Sequence, residues 1–467
     1  CSLTMSGNKT VGAVFVAPQT AGWQPQVLVS PAATDQHGFQ RVVMGSDGSA
    51  LATWLQQVVV NNQVQEYIVW SRIYRPASGW GTPSEVTWVG PSMDRDGYRL
   101  AMNTGGKGIL VWSDLRAATT STYDVTAMPF DLTTGWGARA TINSLTSPMR
   151  SLSAGVDDGG NAVVVWEQAK SASPQRGVWA NRYSAGGTWG TAQVVNQNVD
   201  EGAINPQVAV TPTGDAVAVW RGFGSGTTGG LWTSKYSAGG SWSAPALTVA
   251  YGVGTVFDVG NNPAIVADRN AGALLVWYQI DLLPGPPAST QRSLWAMRYT
   301  NGAWSGAPAS VSTPLVGNFP TGENEVRPAV AMNAQGQAAV AWSWVRQPQS
   351  VWVNRSRSDG TWETPQTVNG VDAGDLRNHS IGIGDAGHMT AAWYNTRLAN
   401  IITNRYTDGG GWSSPLTMVN YDNTQGLLSA GSLAVNGAGS AVLVFQLNPD
   451  ILRQGSQVFS RYFVGVP

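Results

Sequence analysis

The sequence predicts an all-β chain, an eight-bladed β-propeller of four-stranded antiparallel blades whose ring is closed by an N-terminal strand. Three observations carry that prediction. A short apolar run ending in an aromatic residue recurs along the chain, a Gly-rich turn opening onto Trp recurs with it, and the last repeat lacks an outer strand that the first residues can supply. Composition agrees with a folded chain of this kind. Of the 467 residues 42% are hydrophobic, at a formal net charge of −1, which excludes disorder. Charged residues make up 12%, about half the usual share of roughly 25%. Their balance leaves no basic footprint for nucleic acid or an anionic membrane. No uninterrupted apolar stretch reaches the ~18 residues of a membrane-spanning helix.

The recurring run supplies the second strand of each unit. It reads Leu51–Trp54, Ile109–Trp112, Val163–Trp166, Val217–Trp220, Leu274–Trp277, Ala339–Trp342, Thr390–Trp393 and Val442–Phe445, with spacings of 58, 54, 54, 57, 65, 51 and 52 residues between the closing aromatics. Short β-branched runs bounded by Gly turns read as strands. Ahead of each run stand another short strand and a tight turn, as at Gly45-Ser46-Asp47-Gly48, Asp157-Asp158-Gly159-Gly160 and Asn436-Gly437-Ala438-Gly439. A third strand follows, as at Val178–Tyr183 and Leu294–Tyr299, and a fourth opens with Trp23, Trp80, Trp136, Trp189, Trp242, Trp304, Trp362 or Trp412. The 22 tryptophans sort onto this frame: eight on fourth strands, seven on second strands and five on third strands (Trp70, Trp179, Trp232, Trp295, Trp352), leaving Trp88 and Trp344. The Trp excess therefore belongs to the repeat, as wedges between neighbouring sheets.

Four-stranded units repeated about an axis make a propeller. The eighth unit runs out at its third strand, Gln457–Phe463, whereas Gly22–Ser30 is a fourth strand with no blade ahead of it. Joining the two closes the ring and removes two sheet edges. The chain divides into a tether, residues 1–9, and one propeller, residues 10–467, in which residues 22–30 complete the blade formed by 421–467. Thr10–Ala17 is a further apolar run, either a fifth strand on the closing blade or a competitor of Gln457–Phe463.

Cys1 is the only cysteine, which excludes an internal disulfide and a cysteine-based metal site. The Cys1-Ser2 start resembles a mature bacterial lipoprotein, acylated on its first residue; in that family Ser2, rather than Asp, goes with sorting to the outer membrane. The resemblance implies lipidation of Cys1 and a body held at the outer membrane or cell surface by the lipid alone, each buried CH₂ adding about 0.8 kcal/mol. Without the lipid the chain is expected to be secreted. The turn between third and fourth strands resembles the Asp-box of sialidases and other BNR-type propellers, S-x-D-x-G-x-T-W. The third blade keeps Gly186, Thr188 and Trp189, with Ser184 at the Asp position and Arg182 at the Ser position, and the sixth keeps Thr361 and Trp362. This resemblance implies a place among bacterial surface and secreted propellers related to BNR repeats.

The turns from first to second and from third to fourth strands are short and share one face. Connections on the other face are often long, as at Asn196–Pro206, Ala250–Pro263, Asp281–Gln291 and Thr313–Arg327, and long loops on a rigid scaffold are where function sits. Arg41, Arg99, Arg150, Arg327 and Arg377 stand near the start of five first strands, which are expected to line the channel. With Glu323 and Glu325 they are the candidate partner- or ligand-binding residues. The sialidase resemblance implies an arginine set holding a substrate carboxylate there, by bidentate pairing. The other reading pairs them with acids of the same loops, Asp35, Asp94, Asp96, Glu201, Glu323, Glu325, Asp372 and Asp375. Their register also slips: Arg41 and Arg99 lie ten residues before Leu51 and Ile109, Arg150 thirteen before Val163.

A sialidase-like enzyme needs a Tyr nucleophile with a carboxylate partner and a separate acid. Tyr98, Tyr251 and Tyr421 lie in the right class of loop, but the family's Arg-Ile-Pro signature is missing and eight blades replace six. The chain is therefore expected not to be an enzyme and to have no catalytic residues. His37, His379 and His388 fall in different blades or faces, and Asp94-Arg95-Asp96-Gly97 is an incomplete calcium loop, so neither metal nor cofactor is expected. The recurring Arg182-Tyr183, Arg298-Tyr299, Arg405-Tyr406 and Arg461-Tyr462 admit two readings. They are repeated sugar pockets of the kind propeller lectins form between blades, or Arg packed on Trp as a cation–π strut; no carboxylate recurs at a fixed offset to accept sugar hydroxyls. The functional expectation is a surface-exposed lipoprotein propeller, a non-enzymatic binding or assembly module for a protein partner, without nucleic acid. The alternative is a glycan-binding or vestigial sialidase-like glycosidase propeller.

Overall fold

The second-strand runs are apolar without alternation because both faces of that strand are covered. In blade 3, Ala162, Val164 and Trp166 pack on Ile109 and Val111 of blade 2, while Val163 and Val165 pack on Ala216, Ala218 and Trp220 of blade 4. In the computed structural model eight antiparallel sheets follow one another in chain order, and the architecture is an eight-bladed β-propeller. First strands of blades 1 to 8 are His37–Met44, Arg99–Met102, Met149–Val156, Ala203–Val210, Ala264–Ala267, Ala329–Met332, Leu376–Ile383 and Gly426–Val435. Third strands are Gln63–Arg75, Thr122–Asp131, Arg176–Ser184, Gly230–Tyr236, Ser289–Thr300, Val351–Ser356, Asn400–Thr407 and Gln457–Val464. The structure describes residues 22–31, 36–91, 93, 98–117, 122–145, 147–169, 176–197, 202–223, 229–250, 255–256, 263–269, 272–283, 289–317, 328–344, 349–370, 376–419, 426–448 and 455–465. The tether and Thr10–Ala17 lie outside them.

An N-terminal strand closes the ring. Gly22–Trp23 and Val27–Leu28 pair antiparallel with Gln457–Val464, and the buried Val29 donates its N–H to Val458 O at 2.8 Å. Blade 1 clamps this segment from the other side, where Arg72 Nη1 donates to the carbonyls of Leu28 (2.7 Å) and Val29 (3.1 Å). Ser456 Oγ donates to His37 O at 2.8 Å, tying blade 8 to the start of blade 1.

The fourth strand is two short pieces, and the break carries one bond found in every blade. The residue after the Trp donates its N–H to a third-strand carbonyl: Gln24 to Tyr462, Gly81 to Ile73, Gly137 to Pro129, Gly190 to Arg182, Ser243 to Lys235, Ser305 to Arg298, Glu363 to Arg355 and Ser413 to Arg405, all at 2.7–2.9 Å. This bond corrects the register read from sequence in blade 8: the counterpart of Arg182 is Tyr462, and Arg461 falls one place short. The next residue, aromatic in all blades but the sixth, tilts onto its own blade's Trp, as Tyr183 does on Trp189 (5.4 Å between centroids) and Phe463 on Trp23 (5.5 Å).

The acceptor residue itself reaches across to the following blade. Arg182 lies over Tyr236 (5.7 Å), Lys235 over Tyr299 (4.8 Å), Arg355 over Tyr406 (4.8 Å) and Arg405 over Phe463 (3.5 Å). Tyr462 stacks on Tyr74 at 4.4 Å, across the closing seam. The strut therefore stands on a tyrosine or phenylalanine of the next blade, not on the Trp expected from sequence. The repeat tryptophans are not equal as wedges. Second-strand Trp54, Trp112, Trp166, Trp220, Trp342 and Trp393 are fully buried, whereas the fourth-strand tryptophans are half-buried.

Trp220→Ala should consequently lower the unfolding free energy by about 3–5 kcal/mol, read from denaturant melts, and Trp189→Ala should cost clearly less. The opposite order would assign the wedge to the fourth strand. At the seam, burial pushes the Tyr462 phenol up to about 12, against the Ser440 hydroxyl, which opposes the shift. A phenol raised in the folded state stays neutral where the unfolded chain ionises, near about 10. Its contribution is thus complete below that pH and lost as pH climbs towards the folded value. Tyr462→Phe should flatten the alkaline fall of Tm in that window; superimposable profiles of variant and wild type would refute the assignment.

Candidate functional site

First-strand ends from all eight blades meet round one recess, so these strands line the channel. Arg41 and Arg99 share a register, opposite the residue before the second-strand aromatic, Thr53 and Val111 respectively. Both are half-buried, and each donates Nη1 to the carbonyl just before it, Gln40 or Tyr98, at 3.1 Å. Arg150 and Arg377 stand beyond a bulge, exposed, opposite Glu167 and Tyr394. The arginines therefore occupy two levels. Arg327, Glu323, Glu325 and Cys1 lie outside the described residues, as do Asp35, Asp94, Asp96, Glu201, Asp372, Asp375, Tyr251 and Tyr421.

At the bulges Phe39, Ser151 and Asn205 take φ of 56°, 47° and 53°, a left-handed conformation that costs about 1–3 kcal/mol in a non-glycine residue. Between blades 3 and 4 the strain is held by side chains: Ser151 Oγ donates to Asn205 Oδ1 (3.0 Å), and the buried Glu167 accepts from Asn205 N (3.1 Å) and pairs with Arg176. Tyr98 is wholly buried, and burial drives its phenol far above the ordinary value despite the Thr53 hydroxyl and the Arg41 guanidinium. It is no accessible nucleophile. His37 Nδ1 accepts from Trp54 Nε1 (3.2 Å) and His388 Nδ1 from Asp408 N (3.2 Å). Among the described residues no three His, Cys, Asp or Glu side chains gather to hold a metal.

The recess on the short-turn face has a volume of about 230 Å³, with a floor that includes Met44, Met102, Met332 and Ile383. Its rim is committed to holding the ring together. Ser46 N donates to Thr104 O (2.9 Å), Asp158 N to Pro212 O (3.1 Å) and Asp385 N to Gly437 O (2.7 Å). Asn103 Nδ2 donates to Asp157 O (2.7 Å) and Asn333 Nδ2 to Gly384 O (2.9 Å).

A crevice of about 220 Å³ between blades 3 and 4 differs in having polar groups to spare. Tyr236 and Trp242 form one wall, with centroids 5.5 Å apart and planes at 52°. Gly239, at φ 76°, makes the left-handed turn that brings Trp242 back to bridge Tyr236, a backbone shape that glycine adopts without steric cost. Ser184, Thr191 and Gln193 line the other side with Arg182. Asn181 is already engaged, donating Nδ2 to Ile142 O (2.8 Å) and accepting from Arg182 N (2.7 Å). The equivalent crevice between blades 2 and 3, lined by Pro129, Phe130 and Tyr183, has its charges spent. Asp131 accepts from Thr133, which pulls its carboxyl below the ordinary range, and Lys107 Nζ donates to Gly159 O (3.4 Å). The sequence reading missed Thr191 and Gln193 and the Arg182–Tyr236 pairing; the available signal was their 54-residue separation, the same as between Trp166 and Trp220.

No protein-family profile and no curated protein sequence matches the chain. Among solved structures it is similar to the polysaccharide lyase Uly1 (9% identity, 95% of this chain and 99% of that one, TM-score 0.47). It is also similar to an α-L-arabinofuranosidase from Fusarium graminearum (12% identity, 67% and 92%, TM-score 0.36) and to an α-L-arabinanase from Penicillium chrysogenum (13% identity, 68% and 93%, TM-score 0.38). Those proteins are named as a polysaccharide lyase, an arabinofuranosidase and an arabinanase, all of them enzymes, and the sequence-based expectation that this chain is not an enzyme is withdrawn. At 9–13% identity and TM-scores below 0.5 the likeness assigns this chain no activity of its own.

Proposed function

We propose that the chain recognises carbohydrate in the crevice between blades 3 and 4. The observation that carries this reading is the pairing of an aromatic wall, Tyr236 and Trp242, with the side-chain oxygens of Ser184, Thr191 and Gln193 in one recess. A pyranose presents a C–H face and a rim of hydroxyls, so it asks for an apolar platform and a few convergent polar groups. A carboxylate acceptor, which the sequence reading sought at a fixed offset, is replaced by hydroxyl and amide oxygens. The site also falls on the turn that resembles the Asp-box, with Ser184 and Arg182 at its Asp and Ser positions, which supports placing the chain with BNR-like propellers.

A glycan array, followed by calorimetric titration of its best ligands, tests the reading. Gln193 is exposed, so Gln193→Ala should leave stability within about 0.5 kcal/mol. It should weaken binding severalfold, and Trp242→Ala should abolish it. Array ligands whose affinity both variants leave unchanged would remove the crevice from consideration.

A further inference from the structure

The charge of this crevice narrows the ligand further than its shape does. We infer that the saccharide taken between blades 3 and 4 is anionic, its carboxylate or sulfate held by Arg182, an assignment that rests on the carbohydrate reading of the same site.

One position recurs around the ring with different surroundings in each blade. The strut cations are chemically equivalent by the hydrogen bond that defines them, yet their guanidinium and ammonium groups have different commitments. Arg355 is bracketed by Glu363 (2.8 Å) and Asp408 (2.6 Å). Burial alone would lower its pKa, and these two partners more than reverse that, holding it above the ordinary value. Arg298 Nη2 donates to Ser356 Oγ at 2.6 Å. Arg405 Nη1 donates to Thr390 Oγ1 at 2.8 Å and to Gly439 O at 3.3 Å. Lys235 Nζ donates to Gly302 O at 2.5 Å. Among the described residues Arg182 has no such partner: its side chain lies over Tyr236 and donates no hydrogen bond.

Its surroundings point the same way. Among the described residues Arg182 is the one charged residue lining the crevice, whose remaining lining is neutral. A guanidinium carries five N–H donors in a fork matched to carboxylate or sulfate oxygens. The contact with Tyr236, 5.7 Å from the guanidinium carbon to the ring centroid, uses none of those donors, so all of them remain for a ligand. A neutral sugar would leave the charge to water, whereas an anionic one gains charge-assisted bonds beside the ring that carries it.

The test titrates the full chain with two matched pairs: an oligouronate tetrasaccharide and its methyl ester, and an O-sulfated tetrasaccharide and its desulfated form. The charged member of at least one pair should bind about tenfold more tightly than its neutral counterpart, and the pair that shows the difference identifies the anion. Arg182→Gln should erase that difference while weak neutral binding persists. Arg182→Lys, which keeps the charge but loses the fork, should retain part of it, with Tm measured for both. Equal binding of charged and neutral members, abolished by Trp242→Ala, would overturn the anion and leave the carbohydrate reading standing. A charge preference that survives Arg182→Gln would place the anion elsewhere and overturn the assignment. Binding of none of the four would overturn both.

Discussion

A side chain passed from one blade to the next marks seven of the eight junctions and ties the outer strands of the ring together. The residue that accepts the Trp-hairpin bond lays its side chain on the following blade's aromatic, and neighbouring positions match accordingly. Arg182, Lys235, Arg355 and Arg405 meet Tyr236, Tyr299, Tyr406 and Phe463. Where the sixth blade has Ser356 in place of the aromatic, Arg298 gives up stacking and hydrogen-bonds the hydroxyl. Where blade 1 offers Ile73, it packs against Phe130. The matching continues across the closing seam, where the last strut, Tyr462, stacks on the first blade's Tyr74.

Strut and wedge act at different radii. Second strands belong to two cores at once, so Trp166 and Trp220 fix the spacing of blades near the middle of each sheet. The struts act at the short-turn end, where fourth-strand tryptophans are only half-buried and the junction opens into crevices. Tight packing inside is what allows variation there: a junction already held by buried Val and Trp tolerates a Pro129, an Ile73 or an unpaired Arg182. Function grafted on a fold requires this kind of local freedom.

The repeat was legible because its signals are local. An apolar run closed by Trp, a Gly turn and a second Trp lie within one blade, and the orphan strand at Gly22–Ser30 stood out because the eighth unit ended at Gln457–Phe463. What was not legible spans blades or depends on a single bond. Arg461-Tyr462 looked like another Arg-Tyr pair, and only the bond from Gln24 N to Tyr462 O shows that the chain is shifted by one. Arg182 was read against a Trp near it in sequence, whereas its ring partner lies a full repeat away. The channel arginines looked like one set because a first-strand bulge, which separates Arg150 and Arg377 from Arg41 and Arg99, has no signature beyond the slip in spacing.

The same reasoning explains why the crevice, and not the short-turn end of the channel, carries the functional reading. Around the short-turn mouth the polar groups are partners of one another: Asn103 caps its own turn through Oδ1 and reaches Asp157 O through Nδ2, and Asn333 does the same towards Gly384. A ligand there would compete with bonds that hold neighbouring blades together, so its binding energy would be reduced by the cost of breaking them. Among the described residues, the side chains of Arg182, Ser184, Thr191 and Gln193 at the junction of blades 3 and 4 hold no such bonds. Arg182 lies over Tyr236, Asn181 Oδ1 accepts from its backbone N–H, and both Arg182 and Tyr236 line the recess, so a ligand there would gain bonds without breaking those that hold the ring.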